Sequence, residues 1–174
     1  MSDKIVNRVA KSDLKTIDLE DYYPIGERII LDIKNWLFHE LILKETDFRN
    51  YLKNHDWSQY KNKYVALTCS ADAIIPSWAF MLITTYLSPI AKKVVVGDLT
   101  NLETSIFQDI VHKLPIEDFT AKPVIIKGCA NKPIPETAYT QLIEKLQPVV
   151  KSIMFGEACS TVPLFKKKNN NTCY

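Results

Sequence analysis

Two stretches of this chain match each other without a gap at a separation of 59 residues. Tyr86–Asp98 reads YLSPIAKKVVVGD, and Lys145–Glu157 reads KLQPVVKSIMFGE. Leu87, Pro89, Lys92 and Gly97 recur as Leu146, Pro148, Lys151 and Gly156, and Asp98 answers Glu157. Upstream, Cys69-Ser-Ala-Asp-Ala-Ile-Ile-Pro76-Ser-Trp-Ala79 resembles Cys129-Ala-Asn-Lys-Pro-Ile-Pro135-Glu-Thr-Ala138. Each copy reads as a strand, a cysteine, a short loop, a proline and then a helix. Self-similarity at a fixed spacing points to one supersecondary unit used twice. Any two βαβ units share part of such a pattern; the cysteine at the matching place favours a true repeat.

The elements within the copies follow from local pattern. Lys63–Thr68 (KYVALT), Lys93–Val96 (KVVV), Pro123–Lys127 (PVIIK) and Ser152–Phe155 (SIMF) are short apolar runs with the length and β-branching of strands. Pro76–Leu87 and Pro135–Leu146 read as helices, since proline is tolerated in a first turn; Ala138, Leu142 and Leu146 face inward in the second. Between the copies, Thr100-Asn-Leu-Glu103 has the capping-box form, in which each side chain satisfies a free backbone donor. It opens a helix carrying Leu102, Ile106, Ile110 and Leu114 on one stripe, ended by Pro115. The amino-terminal part is less regular. Thr16–Tyr22 reads as an edge strand, Ile29–Leu43 as a short strand followed by a helix, and Thr46 as the cap of a helix running to about Trp57 with Phe48, Tyr51 and Leu52 inward.

Continuous apolar strands alternating with helices argue a parallel sheet covered on both faces. The expected fold is therefore α/β: a four-stranded, mostly parallel sheet from two pseudo-repeated βαβ units, helices on both faces, with an N-terminal α/β extension. Residues 1–166 are expected to form a single domain, with the extension at 1–44, repeat one at 45–98 and repeat two at 99–160. The polar end, 167–174, reads as a disordered tail.

Twenty-two Lys and Arg against twenty Asp and Glu leave a net charge of +2, too little for a dedicated nucleic-acid surface. Four glycines are too few for a glycine-rich phosphate loop. MSDKIVNRVAKSD contains no apolar run of signal-peptide length, so a cytoplasmic protein is expected. Ala73–Ala91 carries no charge, but Pro76 and Pro89 interrupt it and leave a stretch too short to cross a membrane. Its helix is apolar nearly all round, so it is either central or covered by a second chain, which makes a homodimer a reasonable expectation.

Ligand sites of open parallel sheets form at the carboxyl ends of the strands. In the expected sheet, Cys69, Cys129 and Cys159 follow strands at that edge, as do Asp98 and Glu157. Three thiols and two carboxylates would then share one rim. Thiolates favour zinc, copper(I) and iron–sulfur clusters, and three of them with a carboxylate complete a four-coordinate site. A metal site of Cys69, Cys129, Cys159 and Glu157 or Asp98, holding zinc, iron or an iron–sulfur cluster, is one reading. Thiol redox chemistry or sulfur carriage is a second, because Cys69 and Cys129 each precede a helix. A non-catalytic interaction scaffold with packed cysteines is a third, and enzymatic activity stays undecided among them. Cys173 lies in the tail. Asp72 has Lys132 as its repeat counterpart, and His39, His55 and His112 lack metal-ligand spacing. Lys127 and Glu157 could form an ion pair, and Trp36, Trp57 and Trp78 read as core. No serine has a nucleophile-elbow context.

The strings TIDLEDYYP, LILKETDFR, HDWSQY, TCSADAIIP, KGCANKPIP and SIMFGEACSTVPL together resemble the bacterial domain-of-unknown-function family 2480, over about residues 5–166. That family brings no established activity. Its genes often lie beside those of Suf-type iron–sulfur cluster assembly, so the resemblance implies a role in cluster assembly or metal handling with Suf-type partners. Its cysteine motifs match at Cys69, Cys129 and Cys159.

Overall fold

The computed structural model describes residues 13–128, 131–157 and 160–168. In chain order the strands are β1 (Lys15–Ile17), β2 (Arg28–Asp32), β3 (Tyr64–Thr68), β4 (Lys93–Val96), β5 (Pro123–Ile126), β6 (Ser152–Glu157) and β7 (Ser160–Lys166). The α-helices are α1 (Glu45–Asn54), α2 (Ser77–Leu87), α3 (Leu99–Lys113) and α4 (Glu136–Leu146). The chain divides into two compact units, Pro24–Phe107 and Met1–Tyr23 with Gln108–Tyr174.

In the unit Pro24–Phe107 the strand order is β2-β3-β4, all parallel. Val65, Ala66 and Leu67 of β3 are fully buried. Consecutive strand residues point to opposite faces, so both faces of this central strand are covered, as its unbroken apolar run requires. Leu67 stands between Leu31 of β2 and Val96 of β4. Helix α2 buries Ala79, Ile83 and Leu87, spaced four residues apart on one stripe. These pack with Phe48 and Leu52 of α1, with Trp36 and Tyr60, and with Val65 and Leu67 into one core. At the end of β4, Gly97 has φ +135°, and a Cβ there would collide with the side chain of Asn101, so only glycine fits.

The other unit holds a four-stranded, mostly parallel sheet in the order β1-β5-β6-β7. β1, β5 and β6 are parallel, and β7 returns antiparallel to β6. Ile126 of β5 stands between Ile17 of β1 and Phe155 of β6. Helix α4 buries Ala138, Leu142 and Leu146. From α4, Lys145 Nζ donates to the carbonyls of Val111, His112 and Leu114 at 2.8, 2.6 and 2.7 Å. One ammonium thereby satisfies carbonyls that the end of α3 leaves without intrahelical donors.

The entry and exit of the central strands use similar bonds in both units. Asn62, with φ +59°, donates to Ile90 O at 2.9 Å, and Lys92 N donates to Lys63 O at 2.8 Å. Ala121, with φ +58°, donates to Val149 O at 2.8 Å, and Lys151 N donates to Lys122 O at 2.9 Å.

Several expectations need correction. The four strands of the two βαβ segments do not join one sheet. β3 and β4 take β2 as their third strand, whereas β5 and β6 take β1 and β7. The short amino-terminal strands supply the pairing that the expected sheet assigned to the other βαβ segment. The run after β2 is a 3-10 turn at Lys34–Trp36 rather than a longer helix, and Thr16–Tyr22 is strand only as far as Ile17. Helix α1 starts at Glu45 behind Lys44, which makes no side-chain cap, and ends at Asn54; its Tyr51 is exposed. Trp36 is core, whereas Trp78 is exposed. Strand β7 went unread because Pro163 interrupts it, and proline is tolerated on an edge strand. Of the expected tail, residues 169–174 lie outside the described residues.

Candidate functional site

The carboxyl edge of β2-β3-β4 carries a pocket of about 320 Å³ lined by Leu67, Thr68, Cys69, Ala73, Ile75, Phe80, Val96 and Gly97. β3 delivers Thr68 and Cys69, β4 delivers Val96 and Gly97, and α2 supplies Phe80. The walls are mostly apolar, and Cys69 is the one thiol among them. The sulfur is half-buried, and the bond it makes is a long one, Sγ to Ala71 O at 4.0 Å. The sulfur thus has no strong hydrogen-bond partner among the described residues.

Next to Cys69, the loop is fixed by Asp32 at the end of β2. Asp32 Oδ1 accepts from Ser70 N and from Lys34 N, both at 3.0 Å, and Oδ2 accepts a short bond from Ser70 Oγ. Burial alone would raise this carboxyl. The Ser70 hydroxyl and backbone bonds, the Lys34 bond and the Lys34 charge outweigh it and hold Asp32 below the usual carboxylate range. The clamp ties the β2 and β3 ends together and sets where the residue between Thr68 and Ser70 sits. Neither Asp32 nor Ser70 stood out in the sequence. The available signal was an aspartate directly after the apolar run Ile29–Leu31, where strand ends and turn-capping side chains coincide.

Asp98 is committed elsewhere. Its Oδ1 accepts from Asn101 N at 2.8 Å, while Asn101 Oδ1 accepts from Asp98 N at 3.0 Å. This is the capping box of α3, spanning four residues as expected but opened two residues earlier than Thr100. Glu103, expected in that box, pairs instead with Arg28 Nε at 2.6 Å. Its partner Arg28 also donates to the carbonyls of Pro24 and Gly26.

Glu157 ends β6, in the other sheet, and is exposed. Cys69 and Asp98 therefore follow strands of one sheet, while Glu157 ends a strand of the other. Cys129, Cys159 and Cys173 lie outside the described residues. Among the described residues, no three His, Cys, Asp or Glu side chains come together as a metal site would require. Lys127 pairs with Asp18 at 3.2 Å; this bond and charge, then the Glu157 charge, raise its ammonium. Asp72 and His112 are exposed. His55 instead joins an aromatic group, 5.1 Å from the Trp36 ring and 4.8 Å from that of Trp57, with Nε2 2.9 Å from Tyr60 Oη.

No helix among the described residues is long and apolar enough to cross a membrane. No curated protein and no solved structure matches the chain. A family model described as "Protein of unknown function (DUF2480)" matches residues 3–167. With the strands of both sheets inside that match, the chain belongs to the DUF2480 family of unknown function.

Proposed function

We propose that this is a cytoplasmic thiol carrier, an accessory protein that holds sulfane sulfur on Cys69 and passes it to a partner. The observation that supports this most is the placing of Cys69 in an apolar-walled pocket at the carboxyl edge of β2-β3-β4, with no second metal-ligating side chain among the described residues lining it. Loading would proceed by attack of the Cys69 thiolate on the outer sulfur of a donor persulfide. The donor S–S bond breaks, a new S–S bond forms at Cys69, and the donor leaves as its thiolate. A partner of the Suf-type cluster-assembly class fits the need for a donor or acceptor of such sulfur.

The βαβ duplication belongs to the same proposal. Leu67 between Leu31 and Val96, and Ile126 between Ile17 and Phe155, agree with two copies of one module. The matching bonds of Asn62 and Ala121, and the positive φ of Gly97 and Gly156, support it further. On this reading Cys129 is the counterpart of Cys69.

A second reading, handling of zinc, iron or an iron–sulfur cluster, is favoured by one observation. β5 and β6 are paired neighbours, and Cys129, Glu157 and Cys159 follow or end them in sequence. The test is to treat the protein with cysteine persulfide under argon and read intact mass and peptide maps. One added sulfur at Cys69, lost in Cys69→Ser and transferable to a second thiol, is expected. Absence of sulfur on Cys69, with the fold intact, overturns the proposal.

A further inference from the structure

We propose that α2 forms a two-fold contact with a second copy of this chain, centred on Met81. One stripe of α2 is core, but the opposite side is open: Met81 is 68% exposed and Trp78 36%. The segment from Ala73 to Ala91 carries no charge, which an ordinary solvent-facing helix surface would. Two of its hydroxyls are satisfied from within. Thr84 Oγ1 donates to Phe80 O at 2.8 Å and Thr85 Oγ1 to Leu82 O at 2.7 Å. Both threonines can therefore be covered without leaving a hydroxyl unpaired, the usual cost of burying one.

Shape and charge specify the occupant. Met81 is a ridge shared by two hollows. One, of about 610 Å³, is lined by Ser77, Phe80, Met81, Thr84, Thr85 and Val96. The other, of about 520 Å³, is lined by Trp78, Met81, Leu82 and Thr85, with Glu45 and Arg49 at its rim. A surface that offers a knob and the hollow beside it is complementary to itself under a two-fold rotation, which is the condition for an isologous interface. The rim charges meet the same condition. Glu45 and Arg49 form an exposed i, i+4 pair at 2.8 Å, one of each sign. A two-fold contact brings equal numbers of each sign to the rim, so no net charge is buried. A strongly acidic or basic partner finds no such match on this face.

A contact of one short helix and its flanks is at the small end of stable interfaces, so the dimer is expected to form in the micromolar range. Sedimentation equilibrium of the full chain over about two decades of concentration around that range tests it. The native protein is expected to approach twice the 20.0 kDa of one chain. Met81→Lys and Thr85→Glu should each stay monomeric with unchanged circular dichroism, while Leu164→Lys, an exposed apolar position on β7, should dimerise as the native chain does. Thr85→Glu keeps the test decisive should Met81→Lys fail to fold. A native protein that is monomeric throughout, or a dimer that survives both α2 substitutions, overturns the proposal.

Discussion

Asp32 joins two strand ends through one side chain, accepting from Lys34 N, Ser70 N and Ser70 Oγ. Replacing it with alanine leaves these donors to water and is expected to cost about 1–3 kcal/mol of stability, read by urea unfolding. The same bonds set a pH dependence. Asp32 titrates below its ordinary value in the folded chain, so its contribution is present above the ordinary aspartate range and is lost as pH falls through the folded value. Asp32→Asn should flatten the stability profile below about pH 4. His55 gives a second, separate window. Burial lowers its imidazole, against a smaller opposing effect from the Asp56 charge. Above pH 6.5, the ordinary value, both folded and unfolded chains carry it neutral. As pH falls through that value the unfolded chain takes up the proton first, and stability drops. Thermal melts of His55→Gln should vary less between pH 7 and 5 than those of the native protein, as expected from the ordinary histidine range. Burial, aided by the Asp56 charge, pushes the neighbouring Tyr60 up to about 12, so Tyr60→Phe should remove a phenolate absorbance step near that pH.

At the scale of elements, the junction of β4 and α3 concentrates several constraints into Gly97, Asp98 and Asn101. Gly97→Ala forces a side chain into a left-handed backbone and onto Asn101, and should destabilise by more than the ~1 kcal/mol typical of a benign substitution. Asp98→Ala removes the cap and should cost about 1 kcal/mol, read by the same unfolding experiment. If Asp98 were a metal ligand instead, its loss would lower metal content with little effect on the helix. The strands β4, β5 and β6 and the helices α2, α3 and α4 were legible because each combines an apolar period with a proline or glycine close to its boundary, and β3 was legible from its unbroken apolar run alone. The capping box differs from the expected one because Thr-x-x-Glu and Asp-x-x-Asn overlap within six residues, and Glu103 is drawn to Arg28, 75 residues away in the chain. No local pattern carries that choice. The run after β2 was misread for a related reason: Trp36 and Leu37 are buried without a helix, by contacts that periodicity takes for helical.

For the molecule as a whole, the alternation of strands and helices was legible, but the partition into two sheets was not. A three-residue strand such as β1 has almost no signal of its own, yet it decides which strands pair: it takes the edge of β5, while β2 takes that of β3. The expected ligand set depended on that partition. Cys69 was legible as a strand-end thiol; the Asp32–Ser70 clamp that positions it was not, because 38 residues separate its halves. Whether Cys69 acts as a single thiol is read by metal, acid-labile sulfide and cyanolysable sulfane-sulfur analysis of anaerobically purified protein, with Cys69→Ser beside it. The expected result is protein without stoichiometric metal in both, and sulfane sulfur present in the native chain but absent from the variant. Near-stoichiometric zinc or iron in the native chain that disappears in Cys69→Ser would contradict it.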